Sequence, residues 1–119
     1  MGVWDVELTD QVSEWILSLD QKEREAMAAS IDLLEQLGPN LGRPVVDSVK
    51  SSRHHNMKEI RSVGGNLRAL FCFDPRRTAI LLLGGDKTND WVDWYDRNVP
   101  LADKLYDEYL DEIREEGLI

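Results

Sequence analysis

Met57-Lys58-Glu59-Ile60-Arg61-Ser62, Gly64-Gly65-Asn66, Leu67-Arg68-Ala69-Leu70-Phe71-Cys72-Phe73, Asp74-Pro75-Arg76-Arg77 and Thr78-Ala79-Ile80-Leu81-Leu82-Leu83 follow one another almost without interruption, and they decide the fold. In the first run Met57, Glu59 and Arg61 alternate with Lys58, Ile60 and Ser62, as a strand requires. Gly64-Gly65-Asn66 is hairpin-turn chemistry. Leu67 to Phe73 reads as the second strand, and Asp74-Pro75-Arg76-Arg77 as the next turn. Thr78 to Leu83 is almost wholly apolar, so it belongs at the centre of a sheet, and Gly84-Gly85 break the pattern. Closely spaced strands on short turns predict an antiparallel meander.

Upstream, Pro39 to Ser52 reads as a loop, punctuated by Gly42, Pro44 and serines. Before it lie two helices. Val12, Trp15, Ile16 and Leu19 form the stripe of the first, capped by Thr9 or Asp10. Asp20 and Glu23 form a capping box for the second, whose stripe is Met27, Ile31, Leu34 and Leu37 and which Gly38-Pro39 end. Val3 to Leu8 alternates as a further strand, with Trp4 and Trp15 expected in the core. Downstream, about Ala102 to Glu116 is a helix carrying Leu105, Tyr106, Tyr109, Leu110 and Ile113. The expectation is one α+β domain over residues 1–119, in the order β-α-α-β-β-β-α. A helical hairpin would cover one face of a small twisted sheet, and the last helix would dock at an edge or reach a partner.

The 119 residues suffice for one domain that holds its core without staples. Cys72 stands alone, so no internal disulfide can form, which favours a reducing compartment. The N-terminal run has neither the basic start nor the apolar length of a signal peptide, and Ala79 to Leu83 is far too short to span a bilayer. These features point to a cytoplasmic protein with no membrane association.

The net charge of −9 argues at first against a nucleic-acid ligand. The charge is segregated, however. Residues 1–42 carry two Lys/Arg against nine Asp/Glu, residues 43–87 nine against four, and residues 88–119 three against ten. A basic centre lies between acidic ends.

Several chemistries are set aside. One cysteine and two adjacent histidines fall short of a zinc site. Gly84-Gly85-Asp86-Lys87-Thr88 lacks the upstream glycine of a phosphate-binding loop, and no serine sits in a nucleophile elbow. What remains is a cationic set, Lys58, Arg61, Arg68 and Lys87. If the meander pairs normally, Arg61 and Arg68 approach each other across the Gly64-Gly65 turn and share a face, and Lys87 joins them from the end of the third strand. Two adjacent guanidiniums repel, so the fold gains nothing from this placement without an anion. Scattered surface charge is the alternative reading. His54 and His55 could reach the same face as acid-base groups or be ordinary loop residues. Glu59 could act as a base, but is read instead as an ion-pair partner of Lys58 or Arg61. Trp91, Trp94 and Tyr95 could stack a base or pack the tail.

His55-Asn56-Met57-Lys58-Glu59-Ile60-Arg61, Leu67-Arg68-Ala69-Leu70-Phe71 and Leu83-Gly84-Gly85-Asp86-Lys87-Thr88 resemble three successive blocks of the phage-derived Gp49-like/HigB branch of the RelE/ParE toxin superfamily. Leu41-Gly42-Arg43-Pro44, Trp94-Tyr95 and Pro100-Leu101-Ala102-Asp103 extend the resemblance over nearly the whole chain. It implies a RelE-like fold and a type II toxin that cuts messenger RNA, commonly on the ribosome, without metal or organic cofactor. The family's basic residues map onto Arg61, Arg68 and Lys87. In such chemistry the 2′-hydroxyl attacks phosphorus, the two arginines hold the phosphoryl oxygens, and Lys87 serves leaving-group stabilisation or proton transfer. Lys58, His54, His55, Arg43 and Trp91 are the expected RNA contacts. The resemblance also implies a helix-turn-helix antitoxin as partner. This chain departs from some RNA-cutting relatives in having no histidine near its C-terminal strand. A gyrase-binding inhibitor of the ParE kind and a decayed relative that only binds antitoxin are the alternatives.

Overall fold

The computed structural model describes residues 3–86 and 93–119. The elements are β1 (Val6–Leu8), α1 (Asp10–Ser18), α2 (Gln21–Leu37), β2 (Val46–Ser48), β3 (Lys58–Arg61), β4 (Leu67–Phe73), β5 (Ala79–Asp86) and α3 (Asp93–Glu115). A single turn of 3-10 helix, Gly38–Asn40, follows α2.

Both N-terminal helices start where capping chemistry directs. Thr9 Oγ1 accepts from Val12 N at 3.2 Å and donates to the Leu82 carbonyl at 2.8 Å, fastening the start of α1 to β5. Asp20 and Glu23 form the reciprocal capping box of α2. Met27 and Leu34 on the expected α2 stripe are fully buried, whereas Leu37 is exposed.

The sheet order is β1-β5-β4-β3-β2. The β3-β4-β5 meander is antiparallel throughout, and β1 joins β5 in parallel at one edge. The other edge is a strand that the sequence reading placed inside a loop. β2 is only Val46-Asp47-Ser48, too short for alternation to register, yet Val46 is buried opposite Ile60.

The sheet is covered on both faces. Val12 and Leu34 pack with Ile60, Ala69, Phe71 and Leu81 on the helical-hairpin side. Trp94, Val99, Ala102 and Tyr106 pack with Met57, Leu70, Cys72, Ile80 and Leu82 on the other. The last helix therefore spreads across the second face of the sheet instead of docking at an edge. It also begins at Asp93, well before Ala102, with Pro100 inside it. Proline offers no N–H to the Asp96 carbonyl and disfavours helix at Val99, which is why the residues alone suggest a later start. Burial of Trp94 and Val99 outweighs that local cost.

Gly84-Gly85 do not end the third strand of the meander; β5 runs through them. A side chain on Gly84 would collide with the Trp15 ring, and one on Gly85 would meet Trp94 Nε1 at 2.5 Å. The two indoles thus press on the strand from opposite faces, which only glycine permits. A bulge shifts the β4-β5 register between Leu70 and Phe71, so that Leu70 pairs with Leu83 and Phe71 with Leu81. Beyond it Arg68 pairs with Gly85, on the Trp94 side. None of the helices among the described residues is long and apolar enough to cross a membrane.

Candidate active site

Arg61 and Arg68 are direct cross-strand partners in β3 and β4. Paired residues share a face, so both guanidiniums project on the α3 side, as the alternation of β3 implies. Their side chains are a quarter and a tenth exposed.

The anion that such a pair needs is supplied from within. Glu59, also on β3 and two residues before Arg61, is buried. Its Oε1 accepts from Arg61 Nε at 3.0 Å and from Arg61 Nη2 at 2.8 Å, with Arg68 Nε at 4.0 Å. Its Oε2 accepts from the Tyr95 hydroxyl at 2.5 Å. Tyr95 lies in the first turn of α3, so the helix over the sheet closes the constellation from above. The hydrogen bond that Arg61 donates to Glu59 raises the Arg61 pKa above its ordinary value. Burial first, and then the bond to Glu59, push the Tyr95 phenol up to about 12. Tyr95 is accordingly a neutral O–H donor at any physiological pH.

The edge strand contributes a second carboxylate. Asp47 Oδ2 lies 3.3 Å from Arg61 Nη2 and 3.5 Å from Arg43 Nε. Arg61 Nη1 also donates to the Pro44 carbonyl at 3.4 Å, and Arg68 Nη1 to the carbonyls of Gly65 and Leu67. Arg68 Nε is buried with no hydrogen-bond partner among the described residues. Three arginines and two carboxylates therefore form one network with a surplus of positive charge, in an otherwise acidic molecule.

A cavity of about 410 Å³ opens on this network, walled by Asp47, Glu59, Arg61 and Tyr95 and edged by Ser48, Lys50 and Ser51. A second, of about 230 Å³, lies on the other side of Arg61, between Pro44, the Gly64-Gly65 turn and Arg68. The Arg61 side chain is thus a partition between two open spaces.

The remaining expected residues do not all converge here. Lys58 pairs with Phe71, whose side chain is in the hairpin-side core, so the register sets Lys58 on the opposite face from Arg61. His54 is engaged with the middle of α3: its Nε2 lies 2.8 Å from Asp107 Oδ1, and its ring meets Tyr106 edge-on at 4.9 Å. Arg53 pairs with the same Asp107, while Ser52 Oγ donates to the buried Asp103 at 2.5 Å. This loop is bolted to α3 and leaves His55 exposed. Lys87 and Trp91 lie outside the described residues. Trp94 is core, and Tyr95 is drawn into the site as a hydrogen-bond donor. Among the described residues no cluster of three or more His, Cys, Asp or Glu side chains is placed to hold a metal ion.

Sequence reasoning missed Asp47, considered Tyr95 only for stacking or packing and not as a hydrogen-bond donor, and preferred for Glu59 an ion pair with one neighbour over a role as base. The spacing Glu59-x-Arg61 on an alternating strand was a usable signal, since it places carboxylate and guanidinium on one face. Nothing local in the sequence joins Tyr95 or Asp47 to them.

The phage derived Gp49-like protein family matches residues 14–107. HigB3 of Mycobacterium tuberculosis, described as a toxin, is 52% identical over 103 residues, covering 87% of this chain and 90% of its own length. HigB2 of the same organism, also described as a toxin, is 45% identical over 104 residues; these cover 85% of this chain and 52% of the longer HigB2. Among solved structures, a mutant of the E. coli toxin RelE in the free state superposes with a TM-score of 0.58 at 10% identity, covering 77% of this chain and 90% of that one. A chain of the archaeal RelE-RelB complex of Pyrococcus horikoshii gives 0.57 at 16% identity, over 72% and 97%. The chain belongs to the phage derived Gp49-like family and is a HigB-like toxin of type II toxin-antitoxin systems, built on the RelE fold.

Proposed function

We propose that this toxin is a metal-independent endoribonuclease acting on messenger RNA, and that Arg61, Arg68 and Glu59 carry the reaction. One observation supports this above the others: two directly paired arginines hold a buried carboxylate between them at the wall of an open cavity. A phosphodiester brings its own negative oxygens to the guanidiniums, whose planar forks match them. The 2′-oxygen of the upstream nucleotide then attacks phosphorus, and its proton passes to Glu59. The bond to the 5′-oxygen breaks, leaving a 2′,3′-cyclic phosphate and, once a proton is supplied, a 5′-hydroxyl. Negative charge gathers on the phosphoryl oxygens, where fixed cations stabilise it without reorganising. Tyr95 keeps Glu59 oriented. Lys87, one residue beyond β5, is the proposed partner of the leaving oxygen.

His54 is not assigned to the chemistry, because Asp107 and Tyr106 hold it against α3. Arg43 extends the cationic rim toward flanking phosphates. The site of action is the cytoplasm, on translating ribosomes. In the cell a helix-turn-helix antitoxin silences the toxin; the archaeal neighbour was solved as a RelE-RelB complex, which supports a protein partner but says nothing of its fold.

The test is mapping of mRNA ends after brief induction of wild type, Arg68→Ala, Glu59→Gln and Lys87→Ala. New discrete ends in coding regions should appear for wild type. They should fall by about 10²–10³-fold when an oxyanion-holding arginine is lost, and by about 10²–10⁴-fold when the base is lost. Growth arrest with intact mRNA would instead favour inhibition of a protein target such as gyrase.

A further inference from the structure

The two cavities on either side of Arg61 differ in size and chemistry. We infer that the larger one is a nucleobase subsite for the nucleotide immediately upstream of the cut, and that Lys50, with Ser51, selects guanine there. This rests on the ribonuclease reading above and adds a specificity to it.

Direction follows from the chemistry. The attacking 2′-hydroxyl belongs to the upstream nucleotide, so the sugar of that nucleotide must lie beside the proton acceptor. Glu59 and Tyr95 wall the larger cavity and not the smaller one. With the scissile phosphate on Arg61 and Arg68, the upstream base falls into the space of about 410 Å³ and the downstream nucleotide lies toward the Gly64-Gly65 turn. The larger space has the capacity of a small-ligand pocket and admits a purine. The smaller one, about 230 Å³, is lined by Pro44, Val45, the turn after β3 and the two arginines, and falls below the size of an ordinary small-ligand pocket.

Selectivity follows from the lining. Asp47 is already committed: Oδ2 is shared by Arg43 and Arg61, and Oδ1 accepts from Ser48 N at 2.9 Å. Glu59 is committed to Arg61 and Tyr95. The groups left to meet a base are the Lys50 ammonium and the Ser51 hydroxyl, both on exposed residues of the loop after the edge strand; Ser48 pairs with Lys58, so its hydroxyl lies on the other face. An ammonium only donates. Guanine offers two adjacent acceptors, O6 and N7, on one edge, whereas adenine sets an amino donor beside N7 and cytosine presents an amino donor of its own. In uracil the two carbonyls flank an N–H, so a single ammonium cannot take both. Single-stranded RNA exposes these edges, as a double helix does not.

The experiment is transcriptome-wide sequencing of new 5′-hydroxyl ends after brief induction of wild type, Lys50→Ala, Lys50→Arg and Lys104→Ala. Lys104 lies on α3 and controls for loss of one positive charge. Wild type and Lys104→Ala should cut after guanine about tenfold more often than its abundance predicts. Lys50→Ala should lose that ratio and Lys50→Arg, which keeps donors, should retain most of it. A bias confined to the nucleotide after the cut, a preference for another base, or a guanine bias that survives Lys50→Ala would overturn the inference while leaving the ribonuclease reading in place. Absence of new ends in wild type would overturn both.

Discussion

Replacing Glu59 by Gln keeps the shape of the side chain and removes the charge on which Arg61 and Arg68 both rely. The wild-type carboxylate is buried, bonded twice by Arg61 and approached to 4.0 Å by Arg68. Breaking a buried ion pair from one side costs about 3–5 kcal/mol. Here Arg61 is a quarter exposed and keeps Asp47 at 3.3 Å, and the amide oxygen still accepts one hydrogen bond. The penalty is therefore about 2 kcal/mol, and the melting temperature should fall by roughly 8 °C.

The same change vacates an anion site. If the two guanidiniums then bind inorganic phosphate with a Kd of about 10 mM, about 100 mM phosphate restores about 1.4 kcal/mol. Wild type should respond less, because a phosphate there must compete with its own carboxylate. The assay is thermal unfolding of both proteins in phosphate and in chloride at matched ionic strength, so that wild type reports any general salt effect. A Glu59→Gln protein as stable as wild type, or an equal phosphate response in both, would refute the reasoning. The comparison also separates two roles. A residue that only balances charge would give a variant that binds RNA more tightly and still cuts, whereas a proton acceptor gives one that binds and does not cut.

Three other outcomes are expected. Tyr95→Phe removes the hydroxyl on Glu59 Oε2 and should cost about 1 kcal/mol. Because the folded phenol sits near 12, above its ordinary value of 10, its contribution is full below pH 10 and is lost as pH rises through about 12; the difference in denaturant stability between wild type and variant should shrink over that window. Gly85→Ala drives a methyl against Trp94 and should destabilise by about 1–3 kcal/mol in chemical unfolding, whereas Gly42→Ala, with open space around it, should not. Asp107 is held below the usual carboxylate range chiefly by its bond from Arg53 and then by that from His54, so its stabilisation is present above that range and is lost as pH falls through the lowered folded value. Asp107→Asn should flatten the acid limb of the stability profile and speed amide exchange in the loop before β3.

The fold was legible wherever a residue's burial repeats with the period of its own element. The β3-β4-β5 meander, both N-terminal helices and the capping box are of this kind, and Leu67 to Phe73 coincides with β4 from end to end. It was illegible where a tertiary contact overrides a local signal. Gly84-Gly85 look like a break and are strand because two tryptophans need the space; Pro100 looks like a boundary and is helix because Trp94 and Val99 are buried ahead of it. β2 is three residues long and exists through its pairing with β3, which no window on its own sequence reveals. The site divides in the same way. Arg61 and Arg68 could be placed together because one short turn fixes their register. Tyr95 reaches Glu59 only because α3 crosses the sheet, and Asp47 reaches Arg61 only because β2 forms.

That division bears on the net charge. An RNA-binding site in a chain of charge −9 looks contradictory if affinity is a matter of total charge. It is not, when solution ions screen distant charges beyond about 10 Å and the site concentrates its own. Two guanidiniums placed face to face would repel throughout folding, before any RNA arrives. Glu59 removes that penalty by standing where a phosphate would stand, and Tyr95 holds it there. A built-in carboxylate makes the clamp stable when empty, and on the proposed mechanism an entering phosphodiester needs only to compete with one carboxylate that the reaction itself would protonate. Under that proposal, stability in the resting protein and charge stabilisation in the transition state draw on the same three side chains, and acidic residues elsewhere on the surface are free to serve other ends.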